Sequence, residues 1–289
     1  MSFQEKVFNL RGQDIAAKIW NEGQGLPILA LHGWLDNAGS FDKLAPLIPH
    51  HIVAIDFPGH GLSDHKPINS VIHLIDYVID AISVTKFLGW KKYVLLGHSM
   101  GAAICSLIAG CMGDSVQAAL LIDGLGPMPA NARHAPKYLR MFLDEREAKP
   151  DKKSPRYESP LEAIDARLKV TPMELESVKC LIHRGLKQLS NGKWAWRTDP
   201  RLLMHSAQHL TEDQILAFLN AISAPVCVIR PIPGYPFPPE VIMHRLQAIK
   251  HAIVHEIPGH HHVHLDSPEV VAECLNNFLT SLALKRSDG

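Results

Sequence analysis

Residues 93–96 are a short apolar run, Tyr-Val-Leu-Leu, that leads straight into Gly97-His98-Ser99-Met100-Gly101. Small and apolar residues at helical spacing follow, through Gly110. A buried strand, a tight turn and a helix in immediate succession leave few folds open. Gly97 and Gly101 fit a turn in which strand and helix approach too closely for a Cβ. A Gly-x-Ser-x-Gly in that setting presents the serine at the tip of a strained turn, so Ser99 is the candidate nucleophile.

The rest of the chain supplies the sheet this turn needs. The pattern over 6–20 reads as two strands, with Arg11-Gly12-Gln13-Asp14 as the turn between them. Runs at 27–31, 52–56, 118–123 and 225–230 are apolar up to their last residue, as in strands buried on both faces, and 252–257 reads as the last strand. Helical spacing appears over 71–88, 212–221, 240–249 and 268–282, with a short helix expected over 40–47. Alternation of this kind predicts a mostly parallel sheet covered by helices on both faces. Ligands of such sheets bind beyond the carboxyl ends of the strands. His32, Asp56, Ser99 and Asp123 each stand at or just past such an end.

The character changes after Gly126-Pro127. Helical segments are expected over 135–148, 161–168 and 173–189, with a polar turn over 149–155 and no buried strand. The expected organisation is a core of residues 1–127 and 210–289 carrying a helical cap at 128–209. Trp194 and Trp196, where the chain returns to the core, suit either the wall of a substrate cavity or the join between cap and core.

Lysine plus arginine and aspartate plus glutamate each number 29, which argues against nucleic acid as the main partner. The residues after Met1 lack a signal-peptide layout, no apolar run is long enough to span a bilayer, and Ser287-Asp288-Gly289 is not a peroxisomal tripeptide. Five cysteines without paired short spacing suit a reducing compartment. A cytoplasmic protein, monomeric or homodimeric, with a small-molecule substrate is therefore expected. Histidine is abundant, at 18 residues, and His260, His261, His262 and His264 cluster near the C-terminus. Adjacent residues converge poorly on one ion and no cysteine or carboxylate sits at ligand spacing, so no metal or cofactor is expected.

Four stretches together resemble the α/β-hydrolase family: His32-Gly33 after a strand, the segment from Asp56 to Ser63, the turn around Ser99, and the segment from Gly259 to Pro268. His32-Gly33-Trp34-Leu35-Asp36-Asn37-Ala38, Arg184-Gly185, and Asp199 before Arg201-Leu202 narrow the resemblance to the serine hydrolase-like proteins, the kraken group. It covers nearly the whole chain and implies an α/β-hydrolase fold with an inserted cap.

It also implies a histidine base after the last strand, seven residues before Pro268, which falls on His261; His260, His262 and His264 compete. The usual acid position, after the strand at 226–229, holds no aspartate. Some members carry the acid after the strand that follows the nucleophile helix, and there this chain has Asp123, with Glu240, Asp199 and Asp266 as alternatives. The oxyanion donors fall on the amides of Met100 and Trp34. Trp34 and His98 are the candidate substrate contacts; Asp36 and Asn37, and Asp56 and His60, suit turn roles.

Ser99 argues against haloalkane dehalogenase and epoxide hydrolase chemistry, which need aspartate there. The expected activity is hydrolysis of a small or medium uncharged carboxylic ester. Lactone, thioester and C–C hydrolysis use the same machinery. The absent aspartate after 226–229 keeps a ligand-binding protein without turnover as the alternative, with acyl transfer and cofactor-free oxygenation behind it.

Overall fold

The computed structural model describes residues 3–148 and 154–287. The chain opens with the strands β1 (Gln4–Leu10), β2 (Gln13–Trp20), β3 (Pro27–Leu31) and β4 (His51–Ile55). Helix α1 (Leu74–Phe87), β5 (Tyr93–His98), α2 (Met100–Met112) and β6 (Val116–Ile122) follow. Next come α3 (Ala135–Ala148), β7 (Arg156–Tyr157), α4 (Pro160–Val170), α5 (Leu175–Gly185), β8 (Leu186–Gln188) and β9 (Trp194–Trp196). The chain closes with α6 (Glu212–Asn220), β10 (Val226–Pro233), α7 (Pro239–Gln247), β11 (Ala252–Gly259), α8 (Val263–Asp266) and α9 (Pro268–Ser287).

Eight strands form one sheet in the order β1-β2-β4-β3-β5-β6-β10-β11. β1 and β2 are antiparallel, as is the pairing of β2 with β4; every pairing from β4 to β11 is parallel. The pleat sends alternate residues to opposite sides. Leu29, Leu31, Leu95 and Leu121 join one buried cluster with residues of α1, α2 and α6. Ile28, Ala30, Leu96 and Leu120 join a second, against Val271, Leu275 and Phe278 of α9. The continuous apolar runs therefore do what the sequence requires of them, filling two cores at once.

Two local differences have physical causes. The helix expected over 40–47 is two short 3₁₀ turns, Ala38–Phe41 and Ala45–Leu47, with Pro46 inside the second. Strand β10 runs on to Pro233, past the expected end at 230. Its pairing with β6 stops at Ile229, whose carbonyl accepts from the Asp123 amide, while its pairing with β11 continues. Pro231 and Pro233 share the orientation of Ile229, so their missing N–H groups face the side that β6 has left.

The segment between β6 and β10 holds three helices as expected, but the one expected over 173–189 stops at Gly185, after which β8 begins, and a three-stranded antiparallel sheet in the order β7-β9-β8 is added. Strands of two or three residues carry no period that a sequence reading can register. Trp194 and Trp196 pack against a separate cluster of Ala163, Ile164, Val178, Ile182 and Leu186, so they build the segment's own core. The expected polar turn over 149–155 lies, as far as residue 153, outside the described residues.

This segment is bolted to the sheet by buried polar contacts. Asn37 Nδ2 donates to the Leu181 carbonyl (2.8 Å), and the Asp199 amide to that of Gly59 (2.8 Å). Arg184 Nε donates to both Asp56 oxygens (3.0 and 2.8 Å) and its Nη1 to Glu5. Asp56 also accepts from the Ala38 and Leu62 amides, so it braces the segment as well as its own turn. Removing one partner of a buried ion pair leaves a bare charge and costs about 3–5 kcal/mol. The two amides place Arg184→Ala at the low end, about 3 kcal/mol, read by urea denaturation. A loss under about 1 kcal/mol would mean that the amides alone satisfy Asp56.

Candidate active site

The turn after β5 is tight for a steric reason. A Cβ on Gly101 would lie 1.9 Å from the Leu31 carbonyl oxygen, and one on Gly97 would lie 2.5 Å from the Gly101 backbone. Strand, helix and the neighbouring β3 thus approach as only glycine permits. Ser99 sits at the turn with φ 53° and ψ −115°, a conformation that costs a non-glycine residue on the order of 1–3 kcal/mol. Its hydroxyl stands at the start of α2, beyond the carboxyl edge of the sheet.

His261 lies after β11, and its Nε2 is 2.9 Å from Ser99 Oγ. Its Nδ1 is 2.6 Å from Asp123 Oδ2. An ionised carboxylate only accepts, so the proton belongs on Nδ1 and the Nε2 lone pair faces the serine hydroxyl. Asp123 directly follows β6 at φ 43°, and the same Oδ2 accepts from the Tyr235 amide (2.8 Å). The two side chains are only slightly exposed, at 16% for His261 and 11% for Asp123. The competing residues lie elsewhere. His260 is exposed, His262 meets Asp36, and His264 Nε2 contacts Ser40 Oγ (2.7 Å). Among the carboxylates, Asp199 pairs with Arg201, Asp266 accepts from the Glu174 amide, and Glu240 is exposed at the start of α7.

Met100 opens α2, where the first-turn N–H groups have no intrahelical partner. In the loop after β3, the Leu35 amide donates to His60 Nε2 (3.2 Å) and the Asp36 amide to the Gly33 carbonyl (3.1 Å). Of the three amides after Gly33, the two beyond Trp34 are therefore committed to the loop itself. The Trp34 side chain is half exposed. A cavity of about 240 Å³ opens beside Asp123, walled by Leu125, Ile229, Pro231, Phe237 and Ile242.

One expected substrate contact does not hold. His98 is fully buried, and its Nε2–H donates to the His261 carbonyl (2.8 Å). Packed between His261, His262 and His264, with ring centroids 4.2–4.8 Å away, it has no face left for a substrate. A side chain that points back under a strained turn differs from its serine neighbour in exposure, and the pentapeptide alone does not show which way it points.

The loop residue that sequence reasoning undervalued is Asp36. Its Oδ1 accepts from Arg167 Nη2 of α4 (2.5 Å) and its Oδ2 from His262 Nε2 (3.0 Å). Burial pushes its carboxyl up, but the Arg167 guanidinium first, then the His262 donor, outweigh this and hold it well below the usual carboxylate range. Burial drives His98 and His264 well down and His60 to about 3, so these rings are neutral. Asp36, His98 and His262 bring three donor atoms within 4.8 Å of one another. Arg167 already supplies the positive charge there, and a cation would meet it as a like charge, so the donor set fits a hydrogen-bonded ion pair better than a metal. No helix among the described residues is long and apolar enough to cross a membrane.

Residues 28–274 match the model of the alpha/beta hydrolase family. A "Serine hydrolase-like protein" of Danio rerio is 31% identical over 93% of this chain and 85% of its own length. A "Probable serine hydrolase" of Drosophila melanogaster is 34% identical over 92% and 84%. The crystal structure of a hypothetical protein from Pseudomonas aeruginosa PAO1 superposes with a TM-score of 0.91 at 36% identity, covering 96% of this chain and 99% of that one. A thioesterase domain from the curacin biosynthetic pathway shares the fold, with a TM-score of 0.82 at 22% identity. With an eight-stranded sheet, a glycine-framed serine turn and relatives matched along nearly their full length, the chain belongs to the α/β-hydrolase family, beside the serine hydrolase-like proteins.

Proposed function

We propose that this protein is a serine carboxylesterase acting on a small or medium uncharged ester. The observation that carries the reading is the unbroken contact from Ser99 Oγ through His261 to Asp123, at 2.9 and 2.6 Å. In this reading Ser99 Oγ attacks the ester carbonyl while His261 Nε2 takes the hydroxyl proton. The Met100 and Trp34 amides stabilise the oxyanion. His261 returns the proton to the departing alcohol, leaving an acyl group on Ser99. Water then attacks the acyl-enzyme by the same route, with His261 as base, and frees the acid. Asp123 holds the productive tautomer and stabilises the imidazolium. No step calls for a metal or a cofactor. The 128–209 segment acts as the cap over this site, and the half-exposed Trp34 lines the substrate's approach.

One feature supports an uncharged substrate. The nearby cations Arg167, Arg184 and Arg201 are each spent on a carboxylate. The ligand-binding alternative drew on the missing aspartate after β10; the contact between His261 and Asp123 supports the catalytic reading over it.

A fluorophosphonate probe is expected to leave one adduct, mapped by mass spectrometry to Ser99, with hydrolysis of short p-nitrophenyl esters in parallel. A folded protein that takes no adduct would give way to the ligand-binding reading. Turnover of lactones or thioesters well above that of esters would keep the mechanism and change the substrate class.

A further inference from the structure

The Asp36 carboxylate lies where three parts of the proposed machinery meet. It belongs to the loop that carries the Trp34 amide, and Leu35 beside it sits at φ 63°, which holds the loop in a tight turn. Its Oδ2 accepts from His262, the residue after His261, and lies 3.8 Å from Nδ1 of His98, the residue before Ser99. His98 in turn donates from Nε2 to the His261 carbonyl. That donation leaves its Nδ1 as a bare lone pair, which has no hydrogen-bond partner and is close to the carboxylate. Asp36 therefore reaches the base through its hydrogen bond to His262, the residue after His261, while His98 braces the His261 carbonyl and only packs beside the carboxylate. The charge that balances Asp36 comes from outside the core, as Arg167 on α4 of the 128–209 segment.

We propose that Asp36 is a positioning residue for His261 and for the oxyanion loop, and that Arg167 is the counter-charge by which the cap sets the electrostatic balance at the base. This rests on the reading of Ser99 and His261 as nucleophile and base. The groups facing His261 are Asp123 on Nδ1, Ser99 on Nε2, and the rings of Tyr235, His98 and His262 at 5.1, 4.6 and 5.2 Å. Facing Asp36 are Arg167, His262 and His98, with His32 and His60 beneath the loop. Burial lowers the protonation of His32, His60, His98 and His264, so these rings contribute little charge. Asp36 and Arg167 then form a compensated pair on this side of the imidazole, and losing either leaves the other's field unopposed.

The two losses act in opposite directions. Without the Asp36 anion, Arg167 disfavours the imidazolium, so the base stays unprotonated to lower pH. Without the Arg167 cation, Asp36 favours the imidazolium, so the base is lost at higher pH. The acid limb of the kcat/KM profile for a p-nitrophenyl ester reads this in the free enzyme. In Asp36→Asn it is expected to move to lower pH, and in Arg167→Gln to higher pH, each by roughly half a unit. Arg167→Lys restores the wild-type position. In Asp36→Asn, kcat is expected to fall on the order of 10-fold with KM within about 3-fold, as loss of alignment demands. Limbs that stay in place, or that move the same way in both variants, would overturn the proposal and leave Asp36 a structural brace. If melting shows Asp36→Asn unfolded, the Arg167→Gln and Arg167→Lys pair decides alone. A wild-type protein that takes no fluorophosphonate and turns over no ester would defeat the underlying active-site reading, a different failure from an unshifted limb in an active enzyme.

Discussion

Replacing Ser99 with alanine is expected to lower ester turnover by on the order of 10³-fold or more, with the fold intact and substrate affinity nearly unchanged. The size follows from how the three side chains depend on each other. His261 Nε2 is aimed at Ser99 Oγ at 2.9 Å, and its orientation is held from behind by Asp123. Without the hydroxyl that alignment has nothing to act on, and members of such a unit lose activity together rather than in shares. The turn itself favours survival of the fold. Its geometry is enforced by Gly97 and Gly101 against β3 and α2, not by the Ser99 side chain, which caps nothing in α2. Alanine also relieves no strain, because its Cβ suffers at φ 53° as serine's does. Turnover should be measured on enzyme whose melting matches wild type, together with fluorophosphonate labelling. Activity within about 10-fold of wild type would remove Ser99 as the nucleophile.

The parts of this site legible in the sequence are those that local chemistry dictates. Gly97 and Gly101 announce the turn because no other residue fits, Gly101 against Leu31 and Gly97 against the start of α2. Ile28 and Leu29, or Val94 and Leu95, announce double-sided burial because adjacent positions are both apolar. The order of serine, aspartate and histidine follows from strand order. What the sequence hides is contact between distant residues. His262 meets a carboxylate 226 positions away, and Arg167 reaches the same carboxylate across 131. A search for ligand or hydrogen-bond partners at short spacing passes over both. Charge offered a partial signal. Asp36 lies a few residues past a strand end, and a buried carboxylate requires a partner. Which partner depends on where α4 is folded back, and no local pattern carries that. The same limit explains the three short strands beside α5, whose pairing is fixed by the cluster around Ile164 and Ile182 rather than by their own composition.

The acid supplies the second large effect. Asp123→Asn is expected to lower kcat/KM by on the order of 10²-fold and Asp123→Ala by about 10⁴-fold, while Glu240→Gln stays within about 2-fold of wild type. The gap between the first two has a structural cause. Both the His261 Nδ1–H and the Tyr235 amide converge on one oxygen, Asp123 Oδ2, at 2.6 and 2.8 Å. Two donors at one position select the oxygen of an asparagine there and turn its NH₂ away. The productive imidazole tautomer therefore survives in Asp123→Asn, and what is lost is the negative charge that stabilises the imidazolium as Ser99 attacks. Alanine removes the acceptor as well. It leaves the His261 Nδ1–H and the Tyr235 amide unpaired and the ring free to turn from Ser99. Glu240 is exposed at the first turn of α7, so neutralising it alters a solvated charge. Equal losses in the asparagine and alanine variants would mean that the asparagine flips and traps the wrong tautomer. A larger loss in Glu240→Gln than in Asp123→Asn would move the acid to the loop after β10 and undo the assignment of Asp123.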